Sequence, residues 1–109
     1  MKALFLVLNE TEKLNEILEK FVDVGVSGAT ILDSQGMVSA LIEEDIPLFG
    51  GVLRSVMDNN RPYNKTNFTL VEDDKLRAIK DAVKEVLGDM NKPEVGLMFS
   101  VDVDNVTGI

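Results

Sequence analysis

The chain contains no cysteine and no histidine. The missing cysteine excludes disulfide bonds, thiolate metal sites and thiol nucleophiles. The missing histidine removes the commonest general base and the commonest transition-metal ligand. Neither a nucleophile-elbow motif nor a phosphate-binding loop motif occurs in the sequence. We therefore predict that the protein is not an enzyme, and the sequence does not indicate a cofactor.

Basic residues and long apolar runs are also scarce. The 11 lysine and arginine residues are outnumbered by 19 acidic residues, which gives a net charge of −8. Because binding of nucleic acid requires a basic surface, no nucleic-acid partner is expected. No apolar run approaches the roughly 20 residues of a membrane-spanning helix. The N-terminal sequence MKALFLVLNETEK becomes acidic too soon for a signal peptide, so we expect a cytoplasmic protein.

The sequence that is present predicts one domain, residues 1–109, built from two similar halves. With 109 residues, 45% of them hydrophobic, the chain can form one buried core. Each half contains a strand, an acidic helix start, a Lys-Leu pair, an apolar helical stripe, a glycine and a second strand. The strands are predicted at residues 3–8, 28–33, 65–71 and 95–103. The helical stripes are Leu14, Ile17, Leu18 and Phe21 in the first half, and Leu76, Ile79, Val83, Val86 and Leu87 in the second.

This β-α-β, insert, β-α-β order predicts an α+β fold. Specifically, it is typical of a ferredoxin-like βαβ-βαβ sandwich, in which two helices cover one face of a four-stranded antiparallel sheet. The insert is residues 36–63. Its first part, residues 37–42, is interpreted as an extension of the second strand. The apolar spacing of Ile46, Phe49 and Leu53 then predicts a short extra helix over residues 45–60.

Two helices leave one face of the predicted sheet uncovered, and that face is not polar. The first strand is apolar at every position, the second contains adjacent Ile31 and Leu32, and the fourth is expected to place Met98 on its outer side. Exposed apolar patches of this size usually mark an interface. We therefore expect a homo-oligomer, most simply a compact ring, that closes over this face. The alternative is that the insert folds back over the face within one subunit.

Four cations of this acidic protein are concentrated near the insert and before the fourth strand: Arg54, Arg61, Lys65 and Lys92. Arginine and lysine side chains suit carboxylate or phosphate groups. Gly96, at the start of the fourth strand, would let a ligand or a neighbouring backbone approach closely. The cluster predicts binding of a small anion, whereas the alternative for each cation is an ordinary surface salt bridge.

Three segments resemble the PII-like signalling proteins, the superfamily of the nitrogen regulatory protein PII. They are GATILDSQGM at the second strand, RPYNKT before the third and GDMNKPEVGLMF before the fourth. The resemblance covers essentially the whole chain. It implies a ferredoxin-like fold, a homotrimer with inward-facing sheets, and effector binding in clefts between subunits. It also implies a loop after the second strand that contacts a target protein, often a transporter, and it places Gly36 and Met37 near the effector.

The resemblance is incomplete at the residues that bind nucleotides in the family. The family pattern G-D-G-K-I-F before the fourth strand is matched at Gly96 and Phe99, but Leu97 replaces the phosphate-binding lysine. The basic C-terminal motif of the family is missing. We therefore predict a PII-like regulatory protein that binds a small anionic effector, with nucleotides among the candidates, and modulates a partner protein. Sensing of ATP and 2-oxoglutarate is not expected. The alternative is a protein–protein adaptor without a ligand, whose insert helix docks the partner.

Overall fold

A computed structural model of the chain describes residues 1–43, 63–92 and 94–108. These residues form four strands and three α-helices. The elements are β1 (Lys2–Leu8), α1 (Leu14–Asp23), β2 (Thr30–Gln35), α2 (Met37–Glu43), β3 (Tyr63–Val71), α3 (Leu76–Leu87) and β4 (Gly96–Asp102). A single turn of 3-10 helix precedes α1 at Thr11–Lys13, and another precedes α3 at Asp73–Lys75.

The strands form one sheet in the order β2-β3-β1-β4, and every neighbouring pair is antiparallel. The predicted α+β class with a four-stranded antiparallel sheet is therefore confirmed. The register places Phe5 of β1 between Phe68 of β3 and Phe99 of β4. Because side chains alternate along a strand, this register also decides which residues share each face of the sheet.

One face of the sheet carries the core. Leu4, Leu6 and Leu8 of β1 point to this face and are almost completely buried. They pack with Ile17 of α1 and Val83 of α3, and the two helices contact each other. Both helices therefore bury the apolar stripe that the sequence predicts, since an amphipathic helix is stabilised mainly by packing of that stripe.

The other face, which we call the open face, is apolar and accessible. Its members are Phe5 and Val7 of β1, Leu32 of β2, Phe68 and Leu70 of β3, and Leu97, Phe99 and Val101 of β4. The exposed fraction reaches 59% at Leu97 and is still 41% at Phe99. The ring of Phe5 stacks on Phe99 at 4.9 Å and lies 5.8 Å from Phe68, so an aromatic row crosses three strands.

The prediction of an apolar open face is confirmed, but the prediction that Met98 lies on this face is wrong. Met98 pairs with Leu6 in the register, so its side chain faces the helices and packs against the core. Leu97 and Phe99, its neighbours in the chain, occupy the open face instead. The outer surface of β4 is therefore more apolar than the sequence interpretation assumed.

The predicted extension of the second strand over residues 37–42 is also wrong, because Met37–Glu43 is a helix. Gly36 separates it from β2, and the Ala40 N–H donates to the Gly36 carbonyl at 3.0 Å, the spacing of a helical turn. Methionine, alanine and leucine favour helix over strand at such positions. The extra helix predicted for residues 45–60 lies outside the described residues.

Exposed ion pairs connect neighbouring elements. Lys2 of β1 pairs with Asp102 of β4, and Lys20 of α1 lies 3.1 Å from Glu85 of α3. A hydrogen bond from Lys2, together with its charge, lowers the pKa of Asp102, and the same contacts raise the pKa of Lys2. Because these groups are solvated, the pairs contribute little to the free energy of unfolding.

Gly96 is required where β4 begins. Its φ is +155°, and a Cβ at this position would lie 2.6 Å from the carbonyl oxygen of Val7. We expect Gly96→Ala to lower the free energy of unfolding by about 2 kcal/mol, since backbone must move to admit the methyl group. Chemical denaturation measures the effect. The matched control is Gly28→Ala, whose Cβ would meet no atom within 4 Å; equal stability of the two variants would contradict the steric argument.

Candidate functional site

Most of the predicted site residues gather where β1 and β2 finish and where β3 and β4 begin. We call this the candidate-site end of the sheet. Here Leu8 pairs with Lys65 on one side and with Gly96 on the other. Gly36 and Met37 directly follow β2 at the same end. Residues separated by up to sixty positions in sequence are thus brought to one edge of the sheet.

Two lysines contribute differently at this end. Lys65 forms an ion pair with Asp33, its register partner on β2, so its charge is locally balanced. Lys92 lies exposed in the loop before β4, and it makes no ion pair with another described residue. Its carbonyl accepts a hydrogen bond from the Val95 N–H at 3.2 Å, which fixes the end of this loop. Lys92 is consequently the better placed of the two lysines to attract an anion.

The remaining predicted site residues have mixed outcomes. Met37 is 73% exposed and accessible to a ligand or a partner. For Gly96, the sequence predicted close approach of either a ligand or a neighbouring backbone. The structure shows the backbone of β1 at Val7 in this place, which explains the glycine without a ligand. Arg54 and Arg61 lie outside the described residues.

A polar cluster at the candidate-site end was not predicted. Its members, which we call the polar corner, are Asn9, Ser34, Asn64 and Thr66. Ser34 Oγ lies 2.7 Å from Thr66 Oγ1 and donates to the Asn64 carbonyl at 3.2 Å. Asn64 Nδ2 donates to Asn9 Oδ1 at 3.3 Å. The register puts Ser34, Asn64 and Thr66 on the open face, so that face changes from apolar to polar at this end.

The sequence did carry a signal for the polar corner. Every residue is polar at the end of β2, residues 33–35, and at the beginning of β3, residues 64–67, so both faces of the sheet are polar here. The strand pairing that joins the two runs is visible only in the structure. Chemically, the corner supplies hydroxyl and carboxamide groups that can both donate and accept hydrogen bonds. The candidate-site end is thus equipped to bind a small polar ligand next to an apolar surface.

Among the described residues, no three acidic side chains come together to hold a metal ion. None of the helices in the described ranges is long and apolar enough to cross a membrane.

Comparison with known proteins does not assign the chain to a family. Its sequence matches no model of a known protein family, and it matches no curated protein.

Proposed function

We propose that the chain is a PII-like regulatory protein that forms a homotrimer through its open face. The observation that carries this proposal is the accessible apolar row that crosses β1, β3 and β4. Surfaces of this kind are rarely left in water, and a partly exposed aromatic cluster is typical of the centre of an interface. Three copies with the sheets turned inward would remove every open face from solvent.

The fold proposed for each subunit is the ferredoxin-like βαβ-βαβ sandwich. Two features support it. Each half of the chain runs strand, helix, strand, and the order β2-β3-β1-β4 places the first strand of each half in the centre of the sheet and the second strand at an edge. The packing of α1 and α3 on one face agrees with this arrangement.

The proposed role is regulatory. A small anionic effector binds in a cleft between subunits at the candidate-site end, where Lys92 is exposed and the polar corner offers hydrogen bonds. The insert, residues 36–63, connects the end of β2 to the beginning of β3, and both lie at the candidate-site end. Effector binding there acts through the insert on a partner protein, such as a transporter. Under this proposal the protein works in the cytoplasm and catalyses no reaction.

One preparation tests both parts of the proposal. Sedimentation velocity should give a species of three times the 12.0 kDa chain mass, and a stable monomer would contradict the trimer.

A thermal-shift screen should then find stabilisation by a nucleotide, cyclic dinucleotide, carboxylate or bicarbonate. A ligand at one hundred times its Kd stabilises by about 2.7 kcal/mol, and Lys92→Gln should reduce that gain whereas Lys84→Gln should not. A trimer that responds to no ligand would favour the adaptor alternative.

A further inference from the structure

A second cleft lies at the opposite end of the sheet from the candidate site. Its volume is about 610 Å³, within the range of small-molecule sites in proteins. One wall is the loop of residues 25–30 between α1 and β2, and the other is the end of β3 with the start of α3. Thr69 Oγ1 donates a hydrogen bond to the Gly28 carbonyl, which ties the loop to the sheet.

The interior of the cleft is mainly apolar. The lining side chains without polar groups include Val26, Phe68, Leu70, Val71, Ile79 and Val106. Ile79 and Val71 belong to the buried core, whereas Leu70 is exposed at 47%. A surface of this kind binds an aliphatic or aromatic group by removing it from water.

Two opposite charges line the same cleft within one helical turn. Glu72 and Lys75 are both exposed, and the Lys75 N–H donates to the Glu72 carbonyl at 3.0 Å. Neither side chain forms an ion pair with another described residue, while Asp73 between them lies 3.0 Å from the N-terminal amine. The Lys75 ammonium lies beside the loop, 3.7 Å from the position that a Cβ would take at Gly25.

We propose that this cleft binds a free α-amino acid with a large apolar side chain. The carboxylate of such a ligand pairs with Lys75, its ammonium pairs with Glu72, and its side chain enters the apolar interior. A simple carboxylate fits less well, because it would meet Glu72 in a protein of net charge −8. A zwitterion brings no net charge and can pair with both Glu72 and Lys75. The cleft lies at the opposite end of the sheet from the proposed effector site, so ligand binding at either site can fail alone. It shares Phe68 and Leu70 with the open face of the proposed trimer.

The proposal is tested with a matched set of probes on the full chain. Leucine and phenylalanine are compared by calorimetry and by NMR shift mapping with isocaproate, which lacks the ammonium, and isoamylamine, which lacks the carboxylate. Both amino acids should shift the amide resonances of residues 25–30 and 68–75. Each analogue should bind at least about tenfold more weakly than leucine, the loss expected when one charged group is left without its partner.

Variants separate the two charges and the apolar interior. Lys75→Gln and Glu72→Gln should each weaken leucine binding about tenfold, and Glu72→Gln should reduce the preference for leucine over isocaproate. Gly28→Leu should block the cleft without unfolding the chain, since a Cβ there meets no neighbour. Lys84→Gln, a lysine outside the cleft, is the control and should bind leucine normally. No response to either amino acid at millimolar concentration, or equal binding of leucine and isocaproate, would overturn the proposal.

Discussion

Replacing Phe99 by aspartate is expected to convert the proposed trimer into folded monomers. Phe99 lies in the middle of the aromatic row, stacked on Phe5, and it is accessible in the single chain. In the proposed trimer the new carboxylate would be buried without a partner, which costs several kcal/mol, and the apolar burial of the ring, about 2 kcal/mol, would also be lost. The association constant should therefore fall at least about a thousandfold. Sedimentation velocity over a range of protein concentrations measures the change.

The control is the same substitution at an apolar residue away from the open face. Val22 of α1 is 73% exposed, so Val22→Asp adds the same charge without entering the proposed interface. This variant should remain a trimer, and circular dichroism should show both variants folded. If Phe99→Asp sediments as the unchanged trimer, the subunits associate through another surface.

The second large effect is expected in the core. Leu6 is only 1% exposed and packs with buried residues of both helices, so Leu6→Ala should lower the free energy of unfolding by about 3 kcal/mol. Two effects contribute to this loss of stability: fewer apolar atoms are removed from water on folding, and the missing side-chain atoms leave a cavity in the core. Urea denaturation is best measured in the Phe99→Asp background, where the free energy of unfolding does not depend on subunit association.

Leu97 provides the matched control for the core prediction. It is also a leucine, and it is next in the chain to Met98, which pairs with Leu6. Leu97 lies on the open face, however, with 59% of its surface exposed. In the monomeric background, Leu97→Ala should change the free energy of unfolding by less than about 0.5 kcal/mol. Similar losses at Leu6 and Leu97 would show that the two faces of the sheet are not distinguished as described.

Periodicity predicted most of the fold, because the patterns of both helices and of all four strands are strong. The assignment of faces was harder. In β4 the polar residues alternate with Leu97, Phe99 and Val101, and the usual rule would turn these three inward. The pairing of Met98 with Leu6 reverses this, since residues 3–8 of β1 are all apolar and give no preference of their own. Only the register between strands decides which side of β4 meets the helices.

Local signals failed where longer-range contacts compete with them. Residues 37–42 are a short apolar run, which periodicity alone cannot distinguish as strand or helix. The polar corner and the second cleft were not foreseen for the same reason. Both join segments from different halves of the chain.

The position of β1 in the sheet has a consequence for how the chain folds. β1 precedes both of its neighbours, β3 and β4, in the chain. Lys2 can pair with Val71 and Asp102 only after those residues have been synthesised. Contacts of such high contact order slow folding, because the long intervening loops must close before the pairing stabilises them. During synthesis on the ribosome, an apolar first strand therefore emerges long before its partners. A chaperone that shields residues 3–8 at that stage would limit misassembly of the nascent chain.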